Sequence, residues 1–321
     1  MSLSQPHESP GGPVPRILLP YPPDLIGGLP PVPVAVWDGE GGAPAERVIR
    51  ETEFFVLPYG RTTAALPLLE RMTRLRVIQS LSAGVDNLLP FLPPGVMLCN
   101  ARGVHDASTA ELAVALVLAA LRGIPGFVRA QDTGTWRGGS FASLADRTVL
   151  VIGYGSIGSA VEERLTPFEC RILRVARTGR PSARGPVHAM AELPRLLPQA
   201  DVVVLTVPLT EQTRGLVDAG FLASLRDGAL LVNVARGPVV DTDALLAELR
   251  SGRLAAALDV TDPEPLPAGH PLWSAPNTLI SPHVGGNSSA FLPRALRLVR
   301  AQLTRYLGGE RLENVVAGPG R

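Results

Sequence analysis

The segment VLVIGYGSIGSAVEERL, residues 149–165, restricts the possible folds of this chain more than any other stretch. An apolar run leads into Gly153, Gly155 and Gly158, and a pattern of helical period follows them. The first glycine suits a tight turn, the second lets the backbone approach a pyrophosphate, and the third allows close packing of helix on strand. The helix N-terminus would then offer free N–H groups and a positive dipole end to the phosphates. The segment therefore predicts a dinucleotide-binding unit, with a purely structural glycine turn as the alternative.

The rest of the chain alternates short apolar runs with helical patterns, which is typical of parallel sheets with crossover helices. A length of 321 residues suggests two domains. We expect an α/β fold that combines a doubly wound Rossmann-type nucleotide-binding domain with a flavodoxin-like substrate domain. The nucleotide-binding sheet should contain six strands between Val149 and His283.

A long helix should bridge the two domains. It is predicted to run from Thr109 to Arg122, with Ser108 or Thr109 as its cap. The expected limits are residues 17–107 with 285–321 for the substrate domain, 108–284 for the dinucleotide-binding domain, and 1–16 for a loose N-terminal tail.

Composition narrows the chemistry and the partners. A net charge of +1 gives no reason to expect nucleic acid or a membrane as a partner. The chain contains no lysine, which excludes Schiff bases, pyridoxal phosphate anchoring and a Walker-type phosphate loop. Cys99 and Cys170 lack CxxC spacing and are expected to be reduced, buried thiols. The longest apolar run, residues 112–121, is too short to span a bilayer, so we expect a soluble, cytoplasmic protein. We expect no metal site.

The stretch RILRVARTGR, residues 171–180, carries arginines where a dinucleotide-binding unit usually has an acid for the adenosine ribose. An acid accepts hydrogen bonds from a free 2′-hydroxyl and repels a 2′-phosphate, whereas arginine attracts the phosphate. Arg177, Arg180 and the hydroxyl of Thr178 therefore form a candidate phosphate pocket. NADP is favoured over NAD; in the alternative, these arginines only solvate a surface loop.

Polar side chains also follow three later apolar runs. LLVNVARG leads to Arg236, AAALDVTDPEP contains Asp259 and Glu264, and LISPHVGG contains His283. Because the carboxyl ends of strands border the ligand crevice of a doubly wound sheet, these side chains should converge. A histidine can exchange a proton with a carbonyl or alcohol oxygen, a carboxylate can orient it, and an arginine can hold a substrate carboxylate. Each could be structural if taken alone, but their occurrence together behind a nucleotide site favours catalysis. The remaining histidines are interpreted as tail or surface residues: His7, His105, His188 and His270.

These motifs resemble those of the D-isomer-specific 2-hydroxyacid dehydrogenases, which include glyoxylate/hydroxypyruvate reductases and phosphoglycerate dehydrogenases. The likeness covers about Val77 to Val316. Besides the segments quoted above, SLSAGVDN, NARGVHDASTAEL and VPLTEQTRGLVD occur in the family order. The chain departs from the pattern at Thr206 and Val207, where many members carry a histidine before PLT.

The resemblance implies roles for individual residues. His283 would be the general acid/base, Glu264 its carboxylate partner and Arg236 the substrate-binding arginine, while Asp259 would contact the nicotinamide carboxamide. Backbone N–H groups that hold the substrate carboxylate are implied at Ser82, Ala83 and Gly84. The implied cofactor contacts are Gly153, Gly155, Ser156, Ile157, Gly158, Arg177, Thr178, Val207, Pro208, Thr213, Val234, Ala235, Asp259 and His283.

The function that follows is hydride transfer between a nicotinamide and C2 of a small 2-oxo or D-2-hydroxy acid, with glyoxylate and hydroxypyruvate as leading substrates. A phosphoglycerate dehydrogenase-type substrate is an alternative, because Arg61 could meet a phosphate. The alternative function from a different class is a non-catalytic, nucleotide-sensing protein similar to the C-terminal binding protein corepressors. Family likeness also implies a homodimer, with the helix near Thr109 and the DTGTWRGG segment as contact surfaces.

Overall fold

The structure is a computed structural model, and it describes residue 14 and residues 16–319. The chain divides into two compact units. The first comprises the described residues up to Val104 together with those from Leu292 onward, and the second comprises His105–Phe291. The second unit thus begins and ends slightly outside the expected range 108–284. Of the expected tail, only residues 14 and 16 lie within the described part of the chain.

Strands and helices alternate along most of the described chain. The strands are β1 (Ile17–Leu19), β2 (Val34–Val36), β3 (Phe54–Val56), β4 (Val77–Gln79), β5 (Met97–Cys99), β6 (Thr148–Ile152), β7 (Arg171–Ala176), β8 (Val187–Ala189), β9 (Val202–Leu205), β10 (Leu230–Asn233), β11 (Ala255–Leu258), β12 (Thr278–Ile280) and β13 (Val315–Ala317). The α-helices are α1 (Pro23–Ile26), α2 (Glu46–Glu51), α3 (Thr62–Leu69), α4 (Asp106–Leu121), α5 (Ile124–Asp132), α6 (Ser156–Leu165), α7 (Leu193–Leu196), α8 (Ala219–Ala223), α9 (Thr242–Arg250) and α10 (Phe291–Leu307). Short 3-10 helices lie at Leu89–Phe91, Thr166–Phe168, Met190–Glu192, Leu197–Gln199, Gly237–Val239 and Pro271–Ser274.

The first unit is built on a six-stranded sheet of order β2, β1, β3, β4, β5, β13. The first five are parallel and follow the flavodoxin-like order, which confirms the predicted fold class. β13, which was not predicted, pairs antiparallel with β5. Phe54 and Phe55 point to opposite faces of β3 and are both fully buried, as expected of a sheet covered on both sides. Most of α10 lies in this unit, where the ring of Tyr306 packs 5.0 Å from that of Phe54.

The second unit is built on a parallel sheet of order β8, β7, β6, β9, β10, β11, β12. This arrangement contains the Rossmann order, in which the direction of strand addition reverses beside the first strand, here β6. Apolar clusters cover both faces of the sheet. The prediction of six strands was wrong, because it missed β8. That strand is three residues long, lies at the sheet edge and contains His188, so it lacks the apolar run that identifies the others.

The long helix of the second unit begins earlier than predicted. α4 starts at Asp106, with His105 at the N-cap position, and Ser108 and Thr109 are buried inside it. The Asp106 carboxylate lies in the first turn, where the helix dipole favours it, and accepts a 3.2 Å hydrogen bond from Ser156 Oγ. An acid upstream of the expected cap thus lengthens the helix.

α5 follows α4 after a sharp bend at Gly123, whose φ is 69°. No single helix in the described part of the chain has the length and hydropathy of a membrane span. Among the described helices, α4 and α5 meet that criterion only when taken together, and their axes differ by 69°.

The histidines outside the predicted site occupy varied surroundings. His105 is buried and stacks on Phe291 at 5.4 Å between ring centres, so its interpretation as a surface residue was wrong. The ring of Phe291, the first residue of α10, lies against it, a long-range contact that its local sequence does not indicate. His188 is half-buried and lies 3.0 Å from Glu192, and His270 accepts a hydrogen bond from the backbone of Leu272. His7 lies outside the described residues.

Candidate active site

The glycine loop joins β6 to α6 with the geometry that a phosphate cradle requires. Gly153 has φ of 102°, and a Cβ there would lie 2.5 Å from the backbone nitrogen of Val207. A Cβ on Gly158 would lie 2.8 Å from the Gly153 carbonyl oxygen, so the helix packs on the loop as closely as glycine allows. Gly155 is exposed, and its Cβ would meet nothing closer than 3.8 Å. The missing side chain at Gly155 thus leaves space for a ligand, in front of the first turn of α6 at Ser156 and Ile157.

Thr206, the residue directly after β9, supports this loop, a role that the motifs did not assign to it. Its Oγ1 donates a hydrogen bond to the carbonyl oxygen of Gly153 at 2.9 Å, and the carbonyl oxygen of Ile152 shares the same proton at 3.2 Å. The residue that departs from the family pattern therefore holds the tight turn in place. A hydroxyl directly after a buried strand was the available signal.

The candidate phosphate residues follow the carboxyl end of β7. Arg177 and Thr178 are exposed directly after Ala176, the last residue of the strand. Arg180 Nη2 donates a 2.7 Å hydrogen bond to the carbonyl oxygen of Tyr154, within the glycine loop. Arg180 is thus attached to the loop that would carry the pyrophosphate, and Arg177 is exposed directly after β7.

A buried ion pair lies beneath the same strand, and the sequence analysis missed it. Glu162 of α6 accepts hydrogen bonds from Arg174 Nε at 2.8 Å, from Arg174 Nη2 and from the hydroxyl of Tyr154. The Arg174 guanidinium also lies 5.9 Å from the centre of the Tyr154 ring. Burial opposes ionisation of Glu162, but the hydrogen bonds from Arg174 and Tyr154 outweigh it and lower the pKa of that carboxyl. The spacing of these residues gave no signal, because they meet only through the packing of α6 on the sheet.

The remaining predicted cofactor residues lie after β9 and β10, at the same edge of the sheet as the glycine loop. Val207 is buried and Pro208 exposed, and the Pro208 carbonyl accepts a 2.6 Å hydrogen bond from Thr213 Oγ1. Val234 and Ala235 are buried, and the backbone N–H of Ala235 donates to Asn233 Oδ1 at 3.0 Å. Their contacts with a cofactor stay a prediction.

His283 and Glu264 meet at this edge, from the segments after β12 and β11. His283 Nδ1 lies 2.5 Å from Glu264 Oε1, and both side chains are partly exposed. This hydrogen bond is the main cause that raises the pKa of His283, although burial and the charge of Arg236 oppose it. Burial opposes ionisation of Glu264, but the hydrogen bond and charge of His283 outweigh it, so the pKa of Glu264 is lowered. The pair therefore favours a protonated imidazole beside a carboxylate.

Arg236 belongs to the same group of side chains. It follows β10, is half-buried, and donates from Nη1 to the carbonyl oxygen of Ala235 at 2.8 Å. Its charge acts on the pKa values of both His283 and Glu264. The structure thus brings together the three residues predicted to be catalytic.

Asp259 is buried behind His283 and organises the segment around it. Its Oδ1 accepts hydrogen bonds from Ser281 Oγ at 2.6 Å and from the Val284 N–H at 3.0 Å. Its Oδ2 accepts from the Gly285 N–H at 2.9 Å, where a Cβ would lie 2.9 Å from that oxygen. Asp259 thus holds the histidine segment, and its predicted contact with the carboxamide stays a prediction.

The predicted carboxylate-binding residues Ser82, Ala83 and Gly84 lie in the first unit, in a half-buried loop after β4. The Ser82 N–H donates to Ser80 Oγ at 3.0 Å. Among the described residues, the N–H groups of Ala83 and Gly84 have no acceptor in the chain. Two adjacent backbone donors are therefore available to an anion.

No cluster of three or more His, Cys, Asp or Glu side chains suited to a metal ion occurs in the described part of the chain. The chemistry that the described side chains offer at this sheet edge is proton exchange by His283 and anion binding by Arg236.

The family model described as D-isomer specific 2-hydroxyacid dehydrogenase, NAD binding domain, matches residues 114–285. The chain is 38% identical over 221 residues to glyoxylate reductase/hydroxypyruvate reductase of Mus musculus, covering 66% of this chain and 67% of the relative. The crystal structure of a D-isomer specific 2-hydroxyacid dehydrogenase family protein from Aeromonas salmonicida has a TM-score of 0.83 and 31% identity, covering 94% of this chain and 99% of that one.

A further solved structure is the NADPH-dependent glyoxylate/hydroxypyruvate reductase of Sinorhizobium meliloti in complex with NADP and sulfate. It has a TM-score of 0.79 and 27% identity, and the match covers 95% of this chain and 98% of that one. The chain therefore belongs to the D-isomer specific 2-hydroxyacid dehydrogenase family, as its motifs predicted, and it is an NAD(P)-dependent oxidoreductase.

Proposed function

We propose that this chain reduces a small 2-oxo acid of the glyoxylate or hydroxypyruvate type, with NADPH as the favoured cofactor. The observation that carries the proposal is the 2.5 Å contact between His283 and Glu264, beside Arg236 and at the sheet edge that holds the glycine loop. The glyoxylate/hydroxypyruvate reductases of Mus musculus and Sinorhizobium meliloti support this choice of substrate.

The side chains divide the chemistry between them. A bound reduced nicotinamide would supply hydride to C2 of the oxo acid. His283 donates a proton to the oxygen on C2, because the hydrogen bond to Glu264 raises the pKa of the imidazole and so favours its protonated form. Arg236 holds the substrate carboxylate and stabilises negative charge that develops on the neighbouring oxygen. In the first unit, the N–H groups of Ala83 and Gly84 are the proposed donors to a substrate carboxylate.

Two features support NADPH over NADH. The segment 171–180 contains no acid, and it places Arg177 and Arg180 after the strand that ends beside the glycine loop. Arg180 is attached to the Tyr154 carbonyl and so loses little freedom when it binds a 2′-phosphate. The Sinorhizobium meliloti reductase, whose structure contains NADP, supports the same choice.

The direct test is the absorbance at 340 nm of the purified protein with glyoxylate or hydroxypyruvate, in parallel with NADPH and NADH. Arg177→Asp should raise the KM for NADPH and leave or improve the use of NADH. Arg171→Asp is the matched control, because it makes the same change at the exposed opposite end of β7. Equal or better use of NADH by the unaltered protein would contradict the assignment of the arginines.

The alternatives receive less support. Arg61, which was considered for a phosphorylated substrate, forms an ion pair with Glu40. For a nucleotide-sensing protein, cofactor binding without turnover would be expected, and His283→Ala would leave its function intact. Measurable NADPH binding with no reduction of either oxo acid would favour that sensor.

We also propose that the chain forms a homodimer in the cytoplasm, with neither nucleic acid nor a membrane as partner. Ile124 and Val128 on α5 are exposed, and Trp136 after it is 99% exposed, so this region presents apolar surface that a second copy would cover. The thiols of Cys99 and Cys170 are free, which fits a reducing compartment. Light scattering of the protein and of Val128→Arg tests the dimer, because a charge at the interface should yield monomers.

A further inference from the structure

The loop that follows β4 is fixed by hydrogen bonds from outside it, and these act on its carbonyl groups. The Ala101 N–H donates to the Ser82 carbonyl at 2.9 Å. Asn100 Nδ2 donates to the Ala83 carbonyl at 2.7 Å. Because the C=O and N–H of a trans peptide point in opposite directions, each bond sets the direction of the next N–H. The two carbonyl bonds thus orient the N–H groups of Ala83 and Gly84.

Asn100 is itself held so that its amide can face only one way. Its Oδ1 accepts a 3.2 Å hydrogen bond from the Arg102 N–H, which leaves Nδ2 directed to Ala83. Its backbone N–H donates to the Asn314 carbonyl at 3.0 Å, and its backbone carbonyl accepts from Gln79 Nε2 at 3.1 Å. Side chain and backbone of Asn100 are therefore both fixed.

Behind Asn100 lies a pair of fully buried carboxamides. Gln79 Oε1 accepts a 2.8 Å hydrogen bond from Gln302 Nε2, and Gln79 Nε2 also donates to the Ser80 carbonyl at 2.8 Å. Gln302 is bonded in turn to the backbone N–H and carbonyl of Glu313, at 3.0 and 2.9 Å. Buried amides whose donors are all satisfied hold a single arrangement, so the loop is anchored to α10 and to the strand beneath it.

We propose that Asn100 is a positioning residue of the reaction, which directs the N–H groups of Ala83 and Gly84 towards the substrate carboxylate. The proposal rests on the proposed function for the identity of that carboxylate, and on the hydrogen bonds of the first unit for the geometry. Asn100 acts through the Ala83 peptide and does not itself touch the substrate.

Asn100→Asp is the sharpest test, because it preserves the shape and the Oδ1 acceptor and replaces the Nδ2 donor with a charged acceptor oxygen. A carboxylate oxygen facing the Ala83 carbonyl would be repelled, so the peptide should turn and the Gly84 N–H should leave its position. The KM for glyoxylate should rise about tenfold or more, the value expected for losing one charge-assisted hydrogen bond. The KM for NADPH should stay within about twofold, since a positioning residue for the carboxylate has no part in cofactor binding.

Asn314→Asp is the matched control. Asn314 lies in the same unit, and its Nδ2 donates to the Arg102 carbonyl at 3.3 Å, away from Ala83. The same chemical change there should leave the KM for glyoxylate within about twofold. Asn100→Ala serves as a second variant if the aspartate does not yield folded protein, and it should show the same separation of the two KM values.

Binding of oxalate, measured by calorimetry on the unaltered protein and the variants, separates failure of this proposal from failure of the proposed function. Absence of oxo-acid turnover in the unaltered protein would refute the proposed function. Loss of oxalate affinity in Asn100→Asp but not in Asn314→Asp would still support the positioning role. Equal oxalate affinity in the unaltered protein and Asn100→Asp, no oxalate binding at all, or a parallel rise of both KM values would overturn it.

Discussion

The backbone N–H of His283 donates a 2.7 Å hydrogen bond to the carbonyl oxygen of Asp259. His283 has φ of 51°, in the left-handed region that side chains other than glycine rarely adopt. Such a conformation persists only where the surroundings impose it. Here the carbonyl of Asp259 binds the histidine N–H, and the carboxylate of the same residue binds the two N–H groups that follow. One residue thus fixes the imidazole against Glu264.

Replacing the Asp259 carboxylate should therefore misplace the histidine. Asp259→Asn turns one acceptor oxygen into a donor that faces the N–H of Val284 or Gly285, so the histidine segment should shift. We expect kcat for oxo-acid reduction to fall by about tenfold or more, the consequence of one buried unsatisfied donor. Ser281→Ala, which removes only one bond to the carboxylate, should have the smaller effect. Similar kcat values for the unaltered protein and Asp259→Asn would contradict this role.

The pH profile of reduction should follow the protonation of His283. The pKa of His283 is raised, mainly by the hydrogen bond to Glu264. The imidazole, which is the proton donor, is therefore fully protonated at low pH. Reductase activity should therefore be lost as pH rises through the raised pKa. Glu264→Gln removes the charge that raises this pKa, and the alkaline limb of kcat/KM should move to lower pH. Glu192→Gln changes a second His–Glu pair, with His188, and should leave the limb in place.

Alanine substitutions at Gly158 and Gly155 should have different effects, the first on stability and the second on cofactor binding. Gly158→Ala places a Cβ 2.8 Å from a backbone oxygen and should lower the free energy of unfolding by about 1–3 kcal/mol. Gly155→Ala meets no atom closer than 3.8 Å and should keep its Tm, but its methyl group would occupy the space left for a pyrophosphate and should raise the KM for NADPH. Gly138→Ala, with no atom within 4 Å, is the control for both. A large loss of Tm in Gly155→Ala would show that this glycine is structural.

Removing one partner of the buried Glu162–Arg174 ion pair should lower the free energy of unfolding more than removing both partners. Arg174→Met leaves the Glu162 carboxylate buried with only the Tyr154 hydroxyl as a donor, which should lower the free energy of unfolding by about 3–5 kcal/mol. The double variant Glu162→Leu with Arg174→Met leaves no uncompensated charge and should recover part of that loss. Denaturant unfolding of both variants measures the difference. Equal losses would indicate that the pair contributes through packing alone.

Sequence patterns predicted the features that depend on local chemistry. The glycine loop of Gly153, the strand ends of Arg236 and His283, and the apolar runs of the two sheets follow from residue type and spacing alone. β8 escaped prediction because an edge strand needs no apolar run, and the start of α4 was misplaced because Asp106 was not considered as a first-turn residue.

Long-range contacts between polar side chains lay beyond the same reasoning. Gln79 and Gln302 are 223 positions apart and meet only through the packing of α10, so no local spacing indicates their hydrogen bond. Thr206 was noticed as a departure from the family, but its hydrogen bond to the glycine loop depends on the register of β9 beside β6. Residues that contact cofactor or substrate could be proposed from sequence motifs. The residues that hold those contact residues in place could be identified only from the folded structure.

The pairing of Glu162 with Arg174 constrains how cofactor preference can be engineered. An exchange of segment 171–180 for a piece that lacks an arginine at position 174 would remove Arg174 along with Arg177 and Arg180. The transplanted protein would then retain the carboxylate of α6 in its interior without the guanidinium that neutralises it. A chimera of this kind should misfold for a reason unrelated to the cofactor, so a successful design must transfer α6 and β7 as one module.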